Sequence, residues 1–181
     1  MGAGVAIVIA AAVVLLIRSG TGSPPGLSGS SADVPVVGAG SLAQGQPAPD
    51  FTGITLDGQK LTLSSLRGKP VLVNFFASWC TSCEHELPGI QREYISHQDQ
   101  GFTVVGVNSL ENGDGVAFYH RFGLSFPAVR DPGQPGPIAS AYGVTNALPA
   151  SVFIDKSGKV DRVYRGEITS ATIEEELKRI G

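Results

Sequence analysis

The chain has 181 residues, a formal net charge of −3 and two cysteines, which bounds it to one domain of ordinary size with additional segments. Its basic residues form no run, which argues against a nucleic-acid partner recognised through clustered Lys and Arg. Two cysteines can build neither a disulfide framework nor a four-thiolate zinc site.

Gly2 to Ile17 carries no charge and is rich in Ala, Val, Ile and Leu. As a helix it would span roughly 24 Å, short of a bilayer core of about 30 Å. It reads as a signal-peptide hydrophobic region or a short anchor, and no A-x-A cleavage site follows Ile17, which favours an uncleaved anchor over residues 1–18. Arg18 follows this segment and no Lys or Arg precedes it, so the positive-inside rule taken alone would leave the rest of the chain in the cytoplasm. Residues 19–44, with Pro24-Pro25-Gly26 and Ser28-Gly29-Ser30-Ser31, cannot bury a core and read as a flexible linker. Residues 45–181 are the expected folded domain.

Within that domain Phe51 to Thr55 and Gln59 to Leu63 flank Asp57-Gly58, a hairpin signal. Val71 to Ala77 is a continuous apolar run of the kind that forms a buried strand. A helix is expected from Cys80 to His97, kinked at Pro88, which has no N–H to offer Glu84. Next come a strand over Phe102 to Asn108, a helix over Gly115 to Phe122 and a short strand over Phe126 to Arg130. A short helix over Pro137 to Tyr142 follows. Ser151 to Asp155 and Val160 to Arg165 form a hairpin across Lys156-Ser157-Gly158. The last helix covers Ala171 to Ile180, with Ser170 as N-cap or a Thr172–Glu175 capping box as the alternative. The order βαβαβαββα gives an α/β domain, a central mixed sheet with helices on both faces.

The chemistry is concentrated in Trp79-Cys80-Thr81-Ser82-Cys83, where a buried strand runs into a helix. A Cys-x-x-Cys pair placed there is a dithiol that can open and close. The helix N-terminus supplies free N–H groups and positive dipole, which favour a thiolate at Cys80. A static disulfide is the structural alternative, but so small a loop restricts the unfolded chain by only about 2 kcal/mol. A metal site is a second alternative, with His85 as a third donor and a fourth still to be found.

This motif resembles the active site of the thioredoxin family and, more narrowly, of its membrane-anchored TlpA-like and ResA-like thiol–disulfide oxidoreductases. Gln46-Pro47-Ala48-Pro49-Asp50-Phe51, Leu66-Arg67-Gly68-Lys69-Pro70, Pro88, Glu86 and Leu148-Pro149-Ala150-Ser151 match that branch, over about three quarters of the chain. The resemblance implies a thioredoxin fold with an N-terminal hairpin and a central insertion over roughly Gly113 to Arg130. It implies Cys80 as nucleophile, Cys83 as resolving thiol, a cis peptide bond before Pro149, and a partner groove of Trp79, Ala147, Leu148 and Pro149. Core packing is the plainer reading of Trp79.

Glu86 lies one helical turn after Cys83, so the two share a face. A partly buried carboxyl there would titrate high and exchange protons with the cysteines. Many thioredoxins hold their acid on the strand, six residues before the first cysteine, where this chain has Asn74. A solvated first-turn Glu is the alternative for Glu86, and Glu84 and His85 read as solvated.

The resemblance further implies a domain outside the cytoplasm, against the single Arg18. Its substrates would be disulfide-containing proteins, with apocytochrome c Cys-x-x-Cys-His segments as candidates during cytochrome c maturation. Its electron source would be a membrane dithiol donor, and no cofactor is needed. Thr81-Ser82 departs from the proline-containing pairs of this branch, which leaves the direction of electron flow open. Two other classes are weighed beside it. A peroxiredoxin-like peroxidase shares the Ala48-Pro49-Asp50-Phe51 opening but has no Trp-led Cys-x-x-Cys. A copper-binding assembly factor would use a longer cysteine spacing and a distant histidine.

Overall fold

A computed structural model describes residues 42–181 of the chain. The expected anchor or signal segment, and the expected linker up to residue 41, lie outside the described residues. Among the described residues no helix is long and apolar enough to cross a membrane.

The elements in chain order are β1 (Thr52–Ile54), β2 (Lys60–Thr62), β3 (Val71–Phe76), α1 (Thr81–His97), β4 (Thr103–Ser109), α2 (Gly115–Arg121), β5 (Ala128–Asp131), α3 (Pro137–Ala141), β6 (Ala150–Ile154), β7 (Val160–Arg165) and α4 (Ser170–Ile180). Every element read from the sequence is present, with ends shifted by a residue or two. Two short 3-10 turns, Leu63–Leu66 and Gln98–Gln100, were not foreseen. The N-cap of α4 is Thr169, whose hydroxyl accepts the Thr172 N–H. Neither Ser170 nor the Thr172–Glu175 box caps this helix, because the chain is already helical at Ser170.

Five strands form the central sheet in the order β5-β4-β3-β6-β7. β3 pairs parallel with β4 and antiparallel with β6, so the sheet is mixed, as the order of elements implies. The β1–β2 hairpin forms its own ladder and touches the edge strand through a Thr55–Val129 bridge. Gly58, at the hairpin turn, has φ +88°, a conformation glycine adopts without steric cost.

Every residue of β3 is buried, because helices cover both faces of the sheet. Side chains alternate across a strand. Leu72 and Phe76 therefore pack with Leu87 and Ile90 of α1, Ile173 of α4 and Phe118 of α2. Val71, Val73 and Phe75 pack on the other face with Ile138 and Ala139 of α3 and with Tyr142. Each large side chain removed from water in these two layers contributes about 1.5–3 kcal/mol. Asn74 is the exception in this strand. It lies between Leu72 and Phe76 and faces α1 as a buried polar group.

α1 passes through Pro88 as a single helix. The insertion, α2 with β5, extends the sheet at one edge and lays Phe118 and Phe122 against the first core layer.

Candidate active site

The strand β3 delivers the chain to the N-terminus of α1 through Ala77, Ser78 and Trp79. Cys80 is the N-cap residue, with extended backbone, and its Sγ accepts the Cys83 N–H at 3.1 Å. Cys80 and Cys83 are joined as a disulfide, so the described state is the oxidised one. Cys80 is 3% exposed and Cys83 fully buried. Both cysteines are thus buried in the oxidised state, and Cys80 is the one that sits at the helix N-terminus, where the helix dipole favours a thiolate after reduction. No three His, Cys, Asp or Glu side chains converge as a metal site would require among the described residues.

Glu86 is 3% exposed. The solvated reading of this residue is thereby corrected, since the face of α1 that carries Cys83 and Leu87 also carries Glu86 into the core. One carboxylate oxygen accepts from Asn74 Nδ2 at 2.7 Å and the other from the Ile168 N–H at 2.9 Å. Burial pushes the Glu86 pKa up to about 7, against the lowering effect of those two hydrogen bonds, and the nearby Glu167 charge adds to the rise. Asn74 Nδ2 is shared with Ser151 Oγ at 3.0 Å, which the β3–β6 register places directly opposite. Asn74 Oδ1 is buried and has no hydrogen-bond partner. The strand position that carries an acid in many thioredoxins is here an amide that holds the acid of the helix.

Trp79 is 46% exposed, which removes the plain core reading. Its indole N–H donates to the Leu110 carbonyl at 2.7 Å. The Leu148–Pro149 peptide bond is cis. A second cis bond, Gln134–Pro135, lies between β5 and α3 and was not anticipated. Ala150 pairs with Phe75 in antiparallel register, so Pro149 and Leu148 continue alongside Phe76 and Ala77, at the end of the sheet that bears Cys80. Pro149 is buried, Leu148 half-buried and Ala147 exposed. Leu148 packs against the core layer that includes both cysteines. The predicted groove residues are thus brought to one end of the sheet.

Glu84 and His85, read as solvated, are half-buried and exposed respectively, and both are paired. Glu84 meets Arg121 of α2 at 2.5 Å, and His85 meets Glu167 at 3.4 Å. The Arg121 guanidinium also lies 5.3 Å and 5.0 Å from the Phe118 and Phe122 ring centres. Hydrogen bonds from Ser82 and His85 hold the Glu167 carboxyl below its ordinary value. Both pairs join the first turn of α1 to distant segments, and no local sequence pattern could reveal them.

A dithiol at a strand–helix junction, a buried acid one turn below it and a neighbouring proline loop together form a thiol–disulfide exchange centre. The AhpC/TSA family profile matches residues 44–163. Thiol-disulfide oxidoreductase ResA of Geobacillus thermodenitrificans is 39% identical over 141 residues, covering 77% of this chain and 79% of the relative. The chain belongs to the AhpC/TSA family, in its ResA/TlpA-like thioredoxin branch. Thiol-disulfide oxidoreductase ResA of Bacillus anthracis is 38% identical over 137 residues, 75% of this chain and 78% of that one. Among solved structures, a thiol:disulfide interchange protein of the thioredoxin family from Chlorobium tepidum superposes with TM-score 0.66 at 29% identity, over 76% of this chain and 97% of that one. A secreted thiol-disulfide isomerase from Corynebacterium glutamicum gives 0.66 at 27% identity, over 74% and 84%. The fold of this ResA/TlpA-like protein is the thioredoxin fold, its activity is thiol–disulfide oxidoreduction, and its substrates are disulfide-containing proteins.

Proposed function

We propose that this ResA/TlpA-like oxidoreductase works as a reductase outside the cytoplasm, tethered to a membrane by residues 1–18 through the linker 19–44. Its substrates are disulfides in partner proteins, with the Cys-x-x-Cys-His segments of apocytochrome c as the candidate class, and a membrane dithiol donor re-reduces it. The similarity to ResA proteins and to a secreted isomerase supports this reading.

The observation that carries the chemistry is the buried Glu86 one turn after Cys83, with its pKa pushed up to about 7. In the proposed cycle the Cys80 thiolate attacks one sulfur of the partner disulfide, and the other partner sulfur leaves as a thiolate. The Cys83 thiol gives its proton to the Glu86 carboxylate. The resulting thiolate attacks Cys80, the second partner thiolate leaves, and Cys80–Cys83 closes as a disulfide. Two electrons pass from the dithiol to the partner. Glu86 returns its proton when the chain is reduced again. Trp79, Leu148 and Pro149 form the groove that receives the partner backbone.

The test is an equilibrium redox titration of the full chain, followed by fluorescence of its single tryptophan. A two-electron transition near thioredoxin's roughly −270 mV is expected for a reductase; a value near roughly −120 mV would reverse the direction of the proposal. The AhpC/TSA match also accommodates a peroxidase, and a peroxide-consumption assay on the reduced chain separates the two activities.

A further inference from the structure

Glu111 has no part in the chemistry above, yet its carboxylate is the most heavily hydrogen-bonded side chain near the dithiol. It accepts from the Ser78 N–H at 2.8 Å, Ser78 Oγ at 2.6 Å and Asn108 Nδ2 at 2.7 Å. It also accepts from the N–H groups of Asn112 at 3.0 Å and Gly113 at 2.8 Å. Burial opposes its ionisation, but these donors outweigh it and hold the carboxyl below its ordinary value.

The residues on either side serve the same junction. Leu110 is the only non-glycine residue with positive φ, +54°, among the described residues. A left-handed leucine is strained and persists only where its surroundings fix it. Its carbonyl is the acceptor of the Trp79 indole N–H. The Glu111 carbonyl in turn accepts from Gln134 Nε2 at 2.9 Å, which ties the loop to the segment after β5. A Cβ on Gly113 would stand 2.6 Å from Ser78 Oγ, and one on Gly115 would stand 2.3 Å from Asn108 Oδ1, so the loop closes on Ser78 without slack. The loop from Leu110 to Gly113 therefore grips Ser78 by its backbone and hydroxyl and Trp79 by its indole, immediately before Cys80.

We propose that Glu111 is a positioning residue for partner recognition: it fixes the Ser78–Trp79 segment and so sets the orientation of the exposed Trp79 face that a protein substrate meets. This rests on disulfide exchange at Cys80–Cys83 and not on the direction of electron flow. Multiple charge-assisted hydrogen bonds to one carboxylate are strong and directional, so removing the carboxylate should release Trp79 while leaving the disulfide geometry, held by α1, in place. The dithiol would keep its reactivity toward small disulfides and lose it toward proteins.

The experiment compares the reduced full chain and its Glu111→Ala variant in exchange with two probes, insulin and oxidised glutathione. Exchange with insulin should fall about tenfold, as expected for the loss of charged hydrogen bonds. Exchange with glutathione should stay within about twofold, and Trp79 emission should shift to the red with easier acrylamide quenching. A Trp79→Phe background, which lacks the N–H bonded to Leu110, should absorb most of the Glu111→Ala effect on insulin. An equal fall with both probes, an unchanged Trp79 spectrum, or effects that simply multiply in the double variant would overturn the proposal. Should Glu111→Ala lose its circular dichroism, Glu111→Gln carries the same comparison, because the amide turns a donor toward Ser78 or Asn108 in place of an acceptor.

Discussion

Glu86 is the residue whose environment most changes its chemistry. In the unfolded chain it titrates near 4.5, and in the fold near 7. Between these values the folded state holds more protons than the unfolded state, so stability is full below pH 4.5 and falls as pH rises through about 7. The loss is on the order of 3 kcal/mol across that window. Asp50, Asp155 and Glu111 have lowered values and act in the opposite sense at more acidic pH, so they leave this window to Glu86. Glu86→Gln should flatten the dependence. Its amide can accept from the Ile168 N–H and donate to Asn74, whose side chain turns to use the Oδ1 now left without a partner. Urea denaturation at pH 5 and pH 8 checks this, with a pH difference expected for the wild type and a much smaller one for the variant. A slope that survives the substitution would assign the proton to another group.

The elements that carry the site are stabilised at their ends as well as by packing. α4 buries Ile173, Glu176 and Ile180, and Glu176 is satisfied by Tyr164 and Arg179. Its first turn depends on the Thr169 hydroxyl, which accepts the Thr172 N–H at 3.2 Å. Thr169→Ala should cost about 1 kcal/mol, read as a lower urea midpoint, while Ser170→Ala should cost far less. That contrast checks the position of the cap. Thr169 and Ser170 are both competent capping residues, so composition could not choose between them. The choice is made by the backbone, which is extended at Thr169 and helical from Ser170. α1 differs in that its cap is the reactive group itself, so the same geometry that starts the helix presents Cys80 to its dipole.

For the molecule as a whole, the core layer that holds Phe76, Phe118 and Phe126 packs against β4 with little room to spare. A Cβ on Gly106 would stand 2.9 Å from both Ala128 Cβ and Phe76 Cε1. Phe76 cannot yield easily, since it stacks on Phe118 with ring centres 6.0 Å apart and leads into the dithiol segment. Gly106→Ala should therefore destabilise the fold by about 1–3 kcal/mol, measured by denaturation, through overpacking and not through lost burial. A neutral or stabilising result would mean that the layer beside the insertion yields more readily than its contacts indicate.

What the sequence by itself determined was whatever depends on near neighbours. The apolar run Val71 to Phe76, the three-residue spacing of Cys80 and Cys83, and the one-turn offset of Glu86 each place side chains through local backbone geometry. With the order of elements they suffice for the mixed sheet and for the dithiol at the end of one of its strands. Only the tertiary structure decided which groups complete the site. Glu86 takes the N–H of Ile168, which lies 82 residues away, and Asn74 reaches Ser151 at a separation of 77. Ser78 is held by Glu111 across 33 residues. Those partners are chosen by strand register and by the packing of loops at one end of the sheet. No periodicity records them, because a hydrogen bond between distant segments leaves no pattern in the chain until folding brings its two ends together.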